Sequence, residues 1–287
     1  AFFRWVALGH SKHFQMSTGD GLNQVLATML FIRDEPGKGS YDEQGAHGSA
    51  FDRVYALQTG FADGTKRCAR IDKQDVDARV TQDLPDEQDV AGGNLALDQE
   101  TIGLLKQSLE TAFSRTGTPA PEIVVGDGRC AGGSGTPPAS FCQDGNTVNI
   151  DLARLRRYGT PPGPDSNIAY GEGGIGDFAP FAEIASRYAM AVQHHLGIPL
   201  DDARAGLRTT CLTGAWAGFA KKGGGDARRR LLLSPGDLDE AIAELLTARS
   251  VISADDRGDR VKSGFARIEA FRLGYLTGSQ ICTDRFR

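Results

Sequence analysis

The sequence predicts an α+β fold that is mostly helical and carries a small sheet. Helical periodicity is clearest in residues 181–198, where apolar residues recur at spacings of three and four. Gly197 and Pro199 are expected to end this helix, one as a left-handed cap and one as a helix breaker. Two short β-type stretches, 122–125 and 147–151, supply candidate strands. Long helices around a small sheet define the α+β class.

The remaining elements follow from the same periodicity and from turn residues. Asp20 and Asp237 are candidate N-caps, each standing before an amphipathic stretch. The Gly- and Pro-rich residues 161–176 are expected to form a long loop before the helix at 181–198. The other predicted helices are 21–33, 99–115, 200–221, 238–251 and 259–276.

Composition limits the classes of function. The 287 residues are 40% hydrophobic and 24% charged, which suits a globular protein with a real core. A net charge of −5 leaves no basic surface for nucleic acid, so none is expected as a partner. No apolar run reaches membrane-spanning length, and residues 1–8 lack the charged start and cleavage site of a signal peptide. An upstream anchor or signal is compatible with this pattern.

The five cysteines, including Cys68, form no CxxC pair and therefore fit no compact zinc knuckle. Two disulfides and one remaining thiol are the simpler interpretation, and they favour an oxidising, extracytoplasmic compartment. Five buried free thiols in a cytosolic protein are the alternative.

An internal repeat organises the chain. Residues 52–68 (DRVYALQTGFADGTKRC) align with residues 266–282 (ARIEAFRLGYLTGSQIC) without a gap. The identical pairs are Arg53/Arg267, Ala56/Ala270, Gly60/Gly274, Gly64/Gly278 and Cys68/Cys282. Farther back, STGD at 17–20 resembles SPGD at 234–237, and WVALGH from Trp5 parallels WAGFAK from Trp216.

The repeat sets the predicted domain organisation. Residues 1–70 are expected to be the C-terminal half of a first copy, 71–93 an acidic and polar linker, and 94–287 a complete second copy. Extending the register places the counterpart of Cys211 immediately before Ala1. Cys68 is therefore expected to be unpaired in this chain.

Several motifs of the second copy resemble the bacterial neutral zinc metallopeptidase family, which has a zincin-like core. The motifs are GRC…SFCQDGNTVNIDL, ASRYAMAVQHHLGI, GLRTTCLTGAWA and the R-x-x-x-F-x-x-G-Y pattern from Arg267 to Tyr275 with its following cysteine. In the family the second motif carries HExxH and the third carries ELQADC. The resemblance covers about residues 95–282.

The positions that bear the family's chemistry have changed. The two zinc-binding histidines correspond to Ser186 and Met190, and the glutamate that activates water corresponds to Arg187. The downstream acidic pair corresponds to Gly206 and Thr210. Neither serine nor a thioether suits zinc, and a protonated guanidinium cannot accept a proton. The resemblance therefore implies a degenerate site without metal or other cofactor.

The resemblance also implies disulfides Cys130–Cys142 and Cys211–Cys282. The function expected is a catalytically inactive, metallopeptidase-like binding, scaffold or sensor module of the cell envelope, with a protein or peptide partner. The former cleft at Ser186, Arg187 and Met190 is the candidate binding surface. The alternative is an active zinc peptidase whose metal site lies upstream of this chain.

Other candidate sites carry weaker patterns. Adjacent His194 and His195 point in different directions on a helix, and His10 and His13 have no acidic or cysteine partner nearby. The glycine-rich residues 171–176 lack a P-loop lysine, and the arginines at 228–230 favour a solvated loop.

Overall fold

The computed structural model describes residues 1–34, 48–75, 95–161, 174–221, 231, 233 and 236–287. The predicted linker lies mostly outside these ranges, as do most of the predicted loop at 161–176 and the arginines at 228–230. The described helices are α1 (Phe2–Ala7), α2 (Asp20–Phe31), α3 (Ala50–Asp63), α4 (Thr65–Cys68), α5 (Gln99–Phe113), α6 (Leu152–Tyr158), α7 (Phe178–His195), α8 (Ala205–Lys221), α9 (Asp237–Leu246), α10 (Gly264–Thr277) and α11 (Gln280–Arg285).

Three strands form one small mixed sheet in the order β1-β3-β2. β1 (Glu122–Val125) runs parallel to β3 (Thr147–Ile150), and β2 (Ala139–Cys142) runs antiparallel to β3. The mostly helical α+β class is thereby confirmed. β2 was not predicted, because its four residues, ASFC, are too few to give a distinct strand pattern.

Some predicted helix boundaries need correction. Asp20 and Asp237 are the first residues of α2 and α9 rather than N-caps; Gly19 and Gly236 occupy the cap positions. A carboxylate in the first turn still complements the positive end of the helix dipole. α9 ends at Leu246 rather than near 251, because Thr247 adopts an extended backbone.

Both disulfides that the resemblance implied are present. Cys130–Cys142 closes a loop of 12 residues beside the sheet, and Cys211–Cys282 joins α8 to α11 across 71 residues. A closed loop of this second length restricts the unfolded chain by about 4 kcal/mol in the chain-entropy model. Cys68 is a free, partly buried thiol.

The two copies of the repeat have matching local structure. Ser49 caps α3 by accepting from the Asp52 amide, and Ser263 caps α10 by accepting from the Ala266 amide. Gly64 (φ 81°, ψ −168°) and Gly278 (φ 93°, ψ −175°) then make the same turn between paired helices. A positive φ favours glycine, which explains why both copies carry it there.

The first-copy helices pack directly on second-copy helices. Arg33 Nε lies 3.2 Å from Asp239 Oδ2. The Asn23 side chain donates a hydrogen bond to the Lys262 carbonyl and accepts one from the Gly264 amide at the start of α10. The apolar side chains of α2 and α3 belong to the same hydrophobic core as those of α7 to α10. Within the described residues, the regions 1–70 and 94–287 therefore share one core.

Candidate functional site

The candidate site is built on α7, the helix that the resemblance assigns to catalysis. Every residue from Phe178 to Gln193 is buried, so this helix is enclosed on all sides rather than on one face. Trp216 of α8 stacks on Phe178 with ring centroids 5.8 Å apart, and its Nε1 donates to Ser108 Oγ of α5 at 3.1 Å. These contacts join α7, α8 and α5, and α7 also contacts β2 and β3.

Arg187 lies at the position that the resemblance assigns to the catalytic glutamate, and it is fully buried. Its Nε donates to Ser186 Oγ at 3.1 Å, and its Nη1 donates to Thr136 Oγ1 at 3.0 Å. Its Nη2 donates to the carbonyls of Val251 and Ala254. Burial lowers the pKa of Arg187 to about 10, against the attraction of nearby carboxylates, so the guanidinium stays protonated at neutral pH.

The segment from Ser250 to Asp256, here called the covering segment, lies over the site. Besides the two carbonyls that bind Arg187, it places the Ser253 hydroxyl 2.7 Å from Thr210 Oγ1. A side chain at Gly206 would overlap the Ser253 carbonyl, so the close approach requires glycine at that position. The five residues assigned to the degenerate site, Ser186, Arg187, Met190, Gly206 and Thr210, are all buried. We call them the Arg187 site.

This burial corrects one expectation. The former cleft was predicted as a binding surface, but Ser186, Arg187 and Met190 are each at most 1% exposed. The guanidinium also makes its described hydrogen bonds to hydroxyl and carbonyl oxygens rather than to a carboxylate. Because the covering segment lies over these side chains, a ligand cannot reach them from solvent.

A buried pair of glutamates beside the Arg187 site was missed from the sequence. Glu183 accepts from the Val251 amide with both carboxyl oxygens, at 3.0 and 3.2 Å. Burial, and then the neighbouring Glu244, raise the pKa of Glu183 well above its ordinary value. The proximity of Glu244 thus disfavours the charged form of Glu183. The sequence does contain an indication of this burial, because each glutamate lies among the apolar residues of its helix pattern.

A second group of acidic residues could hold a cation. Ligand oxygens of Asp177, Asp237 and Glu240 lie within 4.8 Å of one another, and carboxylates suit hard ions such as Ca²⁺ or Mg²⁺. Two of these carboxyls already accept backbone hydrogen bonds: Asp177 from the Leu95 amide at 2.8 Å, and Glu240 from the Phe178 amide at 2.9 Å. Desolvation raises the pKa of Glu240 to about 9, so this carboxyl is largely protonated at neutral pH.

The histidines do not join any metal-type cluster in the described part of the chain. His194 packs edgewise on Phe141 at a centroid distance of 5.7 Å, while His195 is exposed beside it. His10 and His13 are exposed near α1. Helices long and apolar enough to cross a membrane are likewise missing from the described residues.

The protein is mostly helical and belongs to the α+β class. Its central helix carries a buried arginine, and the described hydrogen bonds of that arginine go to uncharged hydroxyl and carbonyl oxygens. Two disulfides place it among proteins suited to an oxidising compartment. Comparison with known proteins found no matching family model, no matching curated protein and no matching solved structure.

Proposed function

We propose that this chain is a catalytically inactive, zincin-like metallopeptidase relative of the cell envelope that acts by binding a protein or peptide. The observation that carries the proposal is Arg187 at the position of the catalytic base. Its guanidinium is fixed by Ser186, Thr136 and the covering segment, and so it has a structural role. A buried cation at this point would also repel a Zn²⁺ ion.

The architecture around α7 supports the same proposal. The helix that the resemblance assigns to zinc binding is central, buried and packed on the sheet, while its functional positions bear a hydroxyl, a guanidinium and a thioether. These groups complete the core instead of coordinating metal. Because the Arg187 site is closed, binding must use the outer surface of the protein.

Metal analysis combined with a peptidase assay tests the proposal. Oxidised protein is incubated with excess Zn²⁺, desalted and analysed for metal, and hydrolysis of an unfolded protein substrate is followed with and without a chelator. We expect less than one-tenth equivalent of retained zinc and no chelator-sensitive hydrolysis. Stoichiometric zinc together with hydrolysis that the chelator abolishes would refute the proposal.

A Glu240→Gln variant provides the matched control for metal location. If wild-type protein retains zinc but shows no hydrolysis, loss of the metal in Glu240→Gln assigns it to the acidic group at Asp177, Asp237 and Glu240. The inactive interpretation then still holds. If wild-type protein and Glu240→Gln both retain zinc and both show chelator-sensitive hydrolysis, the metal is catalytic and lies elsewhere, which would contradict the proposal.

A further inference from the structure

A buried arginine on α10 lacks hydrogen-bond acceptors in the described part of the chain. The Arg267 side chain is 1% exposed, and its Nε and Nη1 atoms donate to no described group. A guanidinium carries five N–H donors and is ordinarily buried only with carboxylate or carbonyl partners. Arg267 therefore differs from Arg187, whose three nitrogens all donate hydrogen bonds.

A second arginine, Arg260, precedes Arg267 in the chain and acts on it electrostatically. Arg260 is partly buried and donates from Nη1 to the carbonyl of Thr247. Burial and the positive charge of Arg260 lower the pKa of Arg267 to about 9, which still leaves the Arg267 side chain protonated at neutral pH. The acidic group that acts on Arg260 is Asp20, which is exposed. The local charge is consequently positive.

The packing of α10 on α8 shows where this charge lies. A side chain at Gly214 would overlap the carbonyl of Phe271, which follows Arg267 by one turn on the same helix face. Arg267 is therefore level with the N-terminal half of α8. In that half, the buried residues Gly206 and Thr210 supply no negative charge, and a Cβ at Gly206 would lie only 3.0 Å from Val261, the neighbour of Arg260.

We propose that Arg267 and Arg260 bind a small oxyanion, either a phosphate or a carboxylate group. Two guanidinium groups offer paired N–H donors that match the oxygens of such an anion, and its charge would offset their mutual repulsion. Arg260 is partly exposed to solvent, whereas Arg267 is buried. Neither arginine belongs to the Arg187 site, so this inference goes beyond the proposed function and does not depend on the outcome of the zinc test.

Thermal unfolding of the full chain in different anions tests the proposal. Wild-type protein is compared in phosphate, acetate and chloride at matched ionic strength and pH. We expect phosphate or acetate to raise Tm in a saturable way by about 5 °C over chloride. Arg267→Met should abolish this rise without lowering Tm in chloride, because the substitution removes a buried unpaired charge and keeps a flexible apolar side chain.

Two further variants keep the experiment decisive. Arg260→Gln changes a partly exposed position and should raise the anion concentration needed for the half-maximal rise in Tm at least tenfold. This variant keeps the test valid even if Arg267→Met fails to fold. Lys106→Met removes a surface cation on α5 and should keep the wild-type response. Equal Tm values in all three anions, or a rise that both arginine variants retain, would overturn the site. The anion that acts at lower concentration distinguishes phosphate from carboxylate.

Discussion

At the scale of single residues, three arginine side chains are buried in the interior, and they differ in the hydrogen-bond partners of their guanidinium groups. Arg187 is satisfied by hydroxyl and carbonyl oxygens, whereas Arg208 bonds Gln193 Oε1 at 2.7 Å and Asp202 Oδ2 at 2.9 Å. Arg267 lacks acceptors for two of its nitrogens among the described residues. The buried acids show a matching tendency, because desolvation raises the pKa of Glu183, Asp239 and Glu240. The free energy of unfolding should therefore change with pH at values above those at which carboxyl groups ordinarily titrate.

Glu240 gives this dependence a measurable form. Its pKa is about 9 in the folded protein, compared with about 4.3 in an unfolded chain. Between these values the folded state retains a proton that the unfolded state has released, so the free energy of unfolding falls as pH rises. Glu240 contributes at most about 1.4 kcal/mol per pH unit to this slope, and solvent screening of its partly exposed carboxyl reduces that contribution. Glu240→Gln should unfold at higher urea than wild type at pH 8 and at nearly the same urea at pH 5.

The matched control is Glu122→Gln, which changes an exposed carboxyl on β1. It should keep the wild-type dependence of the urea midpoint on pH. Asp239 and Glu183 act in the same direction as Glu240, so the Glu240→Gln variant retains part of the slope. An unchanged difference between pH 5 and pH 8 in Glu240→Gln would show that this carboxyl is not protonated in the native state.

At the scale of elements, sequence periodicity located the long helices and two of the three strands. Residues 99–115 and 122–125 are nearly the observed α5 and β1, because caps and turn residues delimit them. β2 and the early end of α9 depend instead on tertiary contacts. The chain leaves the helix at Thr247, and the carbonyls of the covering segment that follows bind Arg187, which local propensity cannot indicate. For the same reason, the motifs located the Arg187 site but could not reveal that it is closed.

Among the described helices, α8 and α10 approach each other closely, and this contact depends on glycines. A side chain at Gly274 would overlap the carbonyl of Cys211 and lie 2.8 Å from the amide of Ala215. Gly274→Ala should therefore force the helices apart and lower the free energy of unfolding by roughly 3 kcal/mol or more. Gly103→Ala on the exposed face of α5 meets no atom within 4 Å and should raise it by about 0.5–1 kcal/mol.

Denaturant unfolding of both variants with the disulfides intact provides this measurement. The opposite signs separate helix propensity, which alanine improves at both positions, from packing, which alanine disturbs only at Gly274. A stable Gly274→Ala protein would mean that α8 and α10 are not in backbone contact.

At the scale of the whole molecule, the repeat produces one body rather than two independent units in the described residues. α2 and α3 contribute Leu30 and Val54 to the core that contains Ile242 and Phe271. The counterparts differ in burial, however: Trp216 is fully buried, whereas Trp5 is 46% exposed. The chain thus carries one tryptophan in each copy, and each reports on its own surroundings.

Shared burial predicts that both copies unfold together. In Trp5→Phe the emission follows Trp216, and in Trp216→Phe it follows Trp5, so each variant isolates one copy. Within each variant, the fluorescence midpoint in urea should coincide with the midpoint of far-ultraviolet circular dichroism, because α2 and α3 cannot keep their apolar faces buried once α9 and α10 unfold. A Trp5 transition at clearly lower urea than the loss of helix in the same variant would show that residues 1–70 fold as a separate unit. The salt bridge of Arg33 with Asp239 and the bonds of Asn23 to the start of α10 argue for coincidence, since all of them cross the boundary between the copies.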